Sequence, residues 1–239
     1  MQVERDPDIA WVSALSGRSV SASAAAVAEA AHANRLFGHL AREHEREGRE
    51  SYIEIDAPLE LFALVRLLRP RHVVEVGVSS GVSSAYLLEA LERNGSGTLH
   101  SVDLPKLDRR PAEGRARASW SLPAGRSSGW AVPFRLRKRW DLRLGDKAEV
   151  LPLLAEELAR VDLIVYDVPH EDRATRRELA RLDRRIRTGG VVLVDHGPGG
   201  GMCDALAGWA RDGGTEPIGR RGLGLYGARQ GRSRSRARR

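Results

Sequence analysis

Five short runs of β-branched and aliphatic residues alternate with helical periodicities along the chain, and that alternation leaves few folds open. The runs are His72-Val-Val-Glu-Val76, Thr98-Leu-His-Ser-Val102, Asp141-Leu-Arg-Leu144, Asp162-Leu-Ile-Val-Tyr166 and Val191-Val-Leu-Val194. Between them, apolar residues recur at the spacing of one helix face. Ser84, Leu87, Leu88 and Leu91 mark the first such helix; Val150, Leu154 and Leu158 the second; Leu179, Leu182 and Ile186 the third, which Gly189-Gly190 is expected to break. Strands that alternate with helices predict a doubly wound, mainly parallel α/β sheet. Runs without polar alternation fit strands buried on both faces. A helix near 202–211 and two weaker strands, 215–219 and 223–227, complete the body. Upstream, the Ala- and Glu-rich residues 21–48 read as one or two helices. After the linker 51–56, Asp56 predicts an N-cap, Leu61, Val65 and Leu68 an apolar face, and Pro70 a stop. The expected division is an N-terminal helical arm (1–50), an α/β domain (51–228) and a basic tail (229–239).

The net charge of +7 suggests a nucleic-acid partner until its distribution is considered. Residues 229–239 hold six arginines and no acid, which leaves +1 for the other 228 residues. The body is nearly neutral. The Gly/Ser/Arg tail lacks apolar surface to bury and is expected to be disordered and solvated, with weak phosphate contact as the alternative. The lone Cys203 cannot form an internal disulfide. The charged N-terminus lacks the apolar stretch of a secretion signal, and no run approaches a membrane span. A cytoplasmic location without membrane contact is the expectation. Monomer and homodimer both remain open.

The chemistry is expected at one rim of the sheet. Ligands of open α/β sheets bind outside the carboxyl ends of the strands, near the switch point. Four of the five runs end at or just before an acid: Asp103, Asp146, Asp167 and Asp195. Carboxylates are costly inside a core, so the row points to a site, although an N-cap or turn role would explain any single one. The first run leads into Glu75-Val-Gly77-Val-Ser-Ser-Gly81, a turn in which glycines allow close approach by a ligand. Its spacing departs from G-x-G-x-x-G, since the later positions counted from Gly77 are Ser79 and Val82. That argues against a dinucleotide. Asp103 follows Gly77 by 26 residues, where a carboxylate can take both hydroxyls of a ribose.

At these residues the sequence resembles the class I S-adenosylmethionine-dependent methyltransferases, in the branch of catechol-type and sugar O-methyltransferases. The matching segments are residues 73–81, 101–105 (Ser-Val-Asp-Leu-Pro), 144–146 (Leu-Gly-Asp), 162–170 (Asp-Leu-Ile-Val-Tyr-Asp-x-x-His) and 189–196 (Gly-Gly-Val-Val-Leu-Val-Asp-His). The resemblance spans about residues 50–228. It implies a seven-stranded Rossmann-like sheet with an antiparallel last strand, S-adenosylmethionine as cofactor, and a small-molecule acceptor methylated at a hydroxyl. It further implies that Glu75, Gly77, Ser79 and Gly81 line the methionine part of the cofactor. Asp103 would hold its ribose, Asp146 would lie by its adenine, and Asp167 would face the reacting end. Several relatives bind Mg2+ at the ends of the fourth and fifth strands, which here carry Asp167, Asp195 and His196. His196 stands where catechol-type enzymes have an amide. It therefore suggests either a softer divalent metal or a general base.

Removal of the acceptor proton falls to Asp167, His170 or His196, since histidine titrates near neutrality. His32, His39 and His44 lie on a polar helix and read as surface residues; His72 and His100 lie within strands. The Arg-rich residues 104–139 form a long irregular stretch, of the kind that serves as a lid or a binding loop. Its Trp130 would either close over the acceptor or anchor the loop to the core. Three rival readings remain at this point. One is an RNA methyltransferase using the basic tail, against which the fourth strand ends Asp167-Val-Pro-His170 and not in the Asn/Asp-Pro-Pro-Tyr/Phe pattern of amino-methylating base modifiers. The others are an NAD(P)-dependent oxidoreductase and a non-catalytic binding module.

Overall fold

A computed structural model describes residues 7–48, 56–105, 122–167, 172–195, 204–219 and 225–231. Helices α1 (Pro7–Ser16), α2 (Val20–Ala31), α3 (Asn34–Arg46) and α4 (Asp56–Leu68) precede the first strand, so residues 1–50 carry three helices where one or two are expected over 21–48, and the first begins at Pro7. The sheet is built from β1 (His72–Val76), β2 (Thr98–Asp103), β3 (Trp140–Leu144), β4 (Val161–Tyr166), β5 (Ile186–Asp195), β6 (Ile218–Gly219) and β7 (Leu225–Arg229). Between them lie α5 (Val82–Asn94), a 3-10 helix (Phe134–Arg139), α6 (Lys147–Glu157), α7 (Asp172–Asp183) and α8 (Asp204–Asp212). Among the described residues, no helix is long and apolar enough to cross a membrane.

The seven strands lie in the order β3-β2-β1-β4-β5-β7-β6. β1 to β5 are parallel, and β7 runs antiparallel between β5 and β6. The expected doubly wound, seven-stranded sheet is therefore observed. The chain leaves β1 toward β2 and β3 on one side, then returns to β4 on the other. The switch point falls between β1 and β4, where the glycine turn begins.

Strand side chains alternate between two cores. Val73, Leu163, Val165, Val191 and Leu193 face α1 to α5; Val74, Val76, Ile164, Tyr166 and Val192 face α6 to α8. Each fully buried Val or Leu contributes roughly 1.5–3 kcal/mol, so the strands are held from both sides. Ala26, Ala30 and Ser23 are buried on α2, and such small side chains let it pack closely on α4. Trp11 of α1 donates its Nε1–H to Ile218 O at 2.9 Å, joining the N-terminal helices to the last hairpin.

Two boundaries differ from expectation. Ile186 is not helical: α7 ends at Asp183 and β5 begins at Ile186, running through Gly189-Gly190. Gly189 N donates to Gln230 O, Gln230 N to Gly190 O and Val161 N to Arg185 O, each at 2.7 Å. These long-range pairings override a local helical period. The same ladder carries β7 to Arg229, and Gln230 is buried behind it, so the sheet extends past the expected start of the tail.

Half-buried His72 and buried His100 form a relay away from the rim. His100 Nδ1 lies 3.0 Å from Asp141 Oδ2, and His72 Nδ1 lies 3.1 Å from His100 Nε2. With Nδ1–H of His100 donating to the carboxylate, its Nε2 accepts from His72. Burial holds the His72 pKa below its ordinary 6.5, His100 lowers it further, Asp162 opposes this, and Arg71 and Arg160 add to the lowering. The folded state thus favours neutral His72, while the unfolded chain takes up the proton near pH 6.5. This contribution to stability is complete above 6.5 and declines as the pH falls below it. Thermal unfolding followed from pH 7.5 to 5 is expected to show a falling Tm, with a shallower fall in His72→Asn. Equal slopes would exclude His72 as the group responsible.

Candidate active site

The glycine turn is shaped by backbone conformation. Gly77 and Gly81 have φ of 95° and 91°, and Ser79 between them adopts φ 51° despite its side chain. A left-handed non-glycine residue needs support from its surroundings. Asp103 supplies it: Oδ2 accepts the Ser79 N–H at 3.0 Å, and Oδ1 accepts the Leu104 N–H at 2.9 Å. The β1–β2 register sets Val76 beside Val102, which brings the acid and the turn together. Each carboxylate oxygen keeps a further lone pair for a ligand hydroxyl. Gly77 N donates to Val102 O and Asp167 N to Val76 O, at 2.9 and 2.8 Å, so β2, β1 and β4 meet at this point.

Glu75 is 0% exposed and does not face the rim with its carboxylate. Oε1 accepts from Ser83 Oγ at 2.8 Å; Oε2 accepts from Ser84 Oγ at 2.7 Å and Ser101 Oγ at 2.6 Å. Trp140 Nε1–H in turn donates to Ser101 Oγ at 2.8 Å. Burial pushes the Glu75 pKa up, and the three hydroxyl donors oppose that rise. Glu75 therefore ties β1, β2 and the first turn of α5 together and acts on the turn by position. Ser83, Ser84, Ser101 and Trp140 were not anticipated. The pair Ser83-Ser84, directly after the glycine turn, is the sequence signal that could have raised them.

The other acids divide. Asp146 Oδ1 accepts the Ala148 N–H at 2.8 Å and caps α6, so one oxygen serves the helix. Asp167 is exposed just after β4, and Asp195 is half-buried at the end of β5. Tyr166 pairs with Val194, which places these two acids side by side on neighbouring strands. By the alternation of side chains they are in phase with Glu75 and Asp103. His170 and His196 lie outside the described residues. Among the described residues, no group of three or more His, Cys, Asp or Glu gathers as a metal site.

Part of the long irregular stretch packs onto the turn itself. Gly129 N donates to Ser79 O and Ala131 N to Ser80 O, at 2.8 and 3.0 Å. A Cβ on Gly81 would lie 2.5 Å from Val132 Cγ2 and 2.9 Å from Gly129 Cα, so the contact requires glycine. Trp130 packs against the core, 5.0 Å from the His44 ring, with Arg126 over it at 5.3 Å. Of its two expected roles, the contacts are those of an anchor. They also correct two histidines. His44 is 0% exposed under Trp130, and His39 Nε2 lies 3.1 Å from Ala131 O, because residues 126–132 cover a face of α3 that polarity alone assigns to solvent. Trp130→Ala is expected to cost roughly 2–3 kcal/mol, below the range for a fully buried Trp. A urea midpoint unchanged from native would refute the anchor.

Residues 74–196 match the family described as "Methyltransferase domain". A candidate O-methyltransferase of Mycobacteroides abscessus is 33% identical over 149 residues, 62% of this chain and 59% of the relative. The match thus spans about 59% of that relative's length. In fold, the chain is similar to a candidate O-methyltransferase of Klebsiella pneumoniae (17% identity, TM-score 0.52, covering 80% of this chain and 87% of the other). It is likewise similar to the O-methyltransferase TomG of Streptomyces achromogenes, involved in tomaymycin synthesis and solved with S-adenosylmethionine (18%, 0.51, 82% and 89%).

Proposed function

Because the chain belongs to the methyltransferase-domain family, we propose that it transfers a methyl group from S-adenosylmethionine to a hydroxyl of a small-molecule acceptor. The observation that carries this reading is the Asp103 carboxylate set against the glycine turn at the switch point, with a lone pair free on each oxygen. Asp103 would hold the ribose hydroxyls. The left-handed turn from Gly77 to Gly81 would bring backbone against the methionine part. S-adenosylmethionine, when bound, supplies a methyl group already activated on a sulfonium.

The chain's own task is to align the acceptor and take its proton. The acceptor hydroxyl would give its proton to a base of this chain as its oxygen takes the methyl group, and S-adenosylhomocysteine would leave. Alignment alone can contribute up to ~7–11 kcal/mol in favourable cases. Asp167, His170 and His196 are our candidates for the base. A divalent metal is the finer part of the proposal: Asp167 and Asp195, adjacent at the ends of β4 and β5, together with His196, would hold it. The two carboxylates suit a hard cation and the imidazole a softer one, and either would lower the pKa of the acceptor.

The test is turnover. Protein incubated with S-adenosylmethionine and a panel of phenols, catechols and sugars should yield a methyl ether and S-adenosylhomocysteine. A thermal shift with S-adenosylmethionine and none with NAD(P) is expected. A shift with NAD(P) alone, or methylation of bulk RNA in place of the panel, would overturn the reading. Loss of turnover with a chelator, restored by Mg2+ or Mn2+, would support the metal.

A further inference from the structure

Two adjoining cavities, of about 330 and 270 Å³, open at the other end of the sheet. Thr188, Thr215 and Gln230 line the first; Gly17, Arg18 and Arg187 line the second; Gly189 and Arg229 belong to both. Gly189 lies roughly 20 Å along β5 from Asp195, so this is not the methyl-transfer rim.

The cavities gather three guanidinium groups with little to neutralise them. Arg187 Nε donates to Asp162 Oδ1 at 2.6 Å. Asp162 is already engaged, since it also accepts from Arg160 at 2.7 Å and from the backbone N–H of Arg71 and His72 at 2.8 and 3.1 Å. Among the described residues, no acid pairs with Arg18 or Arg229. The Arg229 guanidinium lies in a slot between Gly17 and Gly189, and a Cβ on Gly17 would collide with it. Convergent cations with few anionic partners describe an unfilled complement, an oxyanion.

We propose that these cavities form a binding site for a phosphate-class dianion, separate from the methyl-transfer site. Guanidinium groups pair with phosphate oxygens in a two-pronged geometry. Sulfate has the same charge and shape, so the site should accept both.

The probes are sodium phosphate and sodium sulfate at pH 7.5 and constant ionic strength, read by titration calorimetry on the full chain. Phosphate should bind saturably at one site, and sulfate should compete for it. Arg18→Gln and Arg229→Gln should each weaken it about tenfold, the effect of one charge-assisted hydrogen bond. Arg18 lies on an exposed turn, so its variant should unfold at the native temperature. Replacing the arginines at 232, 234, 236, 238 and 239 with serine should leave the affinity unchanged. Absence of saturable binding at millimolar phosphate would overturn the proposal. So would native affinity in both cavity variants, or binding lost on changing the tail alone. None of these outcomes depends on methyl transfer.

Discussion

Asp103→Ala is expected to weaken S-adenosylmethionine binding by about 100-fold or more while leaving the fold nearly as stable. A charge-assisted hydrogen bond contributes about 1.5–3 kcal/mol, and two ribose hydroxyls on one carboxylate make two of them. The variant also removes the acceptor for the Ser79 N–H, which holds that residue at φ 51°. Asp103 is only half-buried, so little core packing is lost. Asp103→Asn separates the two contributions. It keeps an oxygen for the Ser79 N–H but loses the charge, and should fall between native and Ala. Calorimetry with S-adenosylmethionine reads all three proteins. Native affinity in Asp103→Ala would remove the ribose assignment while leaving the fold untouched.

The second large effect is on stability. Glu75→Ala strands three hydroxyl donors, on Ser83, Ser84 and Ser101, and opens a space beneath the turn. Each buried polar group left without its partner costs about 1–3 kcal/mol, a large share of a domain's stability. The urea midpoint should drop accordingly. Cofactor affinity should fall as well, since α5 and β2 lose their common tie. Glu75→Gln keeps an acceptor, and the serine hydroxyls can rotate to meet its amide, so a much smaller loss is expected. If Glu75→Ala were as stable as Glu75→Gln, the carboxylate would not be the tie described.

The succession of strands along this protein was largely legible, and its site half so. Each central strand appears within one or two residues of its expected position except β5. There Ile186 continues a helical period that the chain does not follow, because Gly189 and Gly190 pair with Gln230. The neighbourhood of Asp103 and the glycine turn was legible because both sit at the ends of adjacent strands. The inward turn of Glu75 was not. It follows from the register that sets Ser101 beside it, and no local pattern encodes a register. His44 was misjudged for a related reason: a polar helix face reads as solvent-exposed until a distant segment, here around Trp130, covers it.

By itself, then, the sequence determined the succession of strands and helices, the glycine turn and the acids at strand ends. These are properties of short windows, set by side-chain period and backbone freedom. Only the tertiary structure decided what each polar group faces. It turned Glu75 into a tie, Asp146 into a helix cap and Trp130 into an anchor, and it gathered Arg18, Arg187 and Arg229 from three distant segments around two glycines. Those outcomes depend on which segments lie side by side, and that is settled by the burial of the whole sheet between its helices.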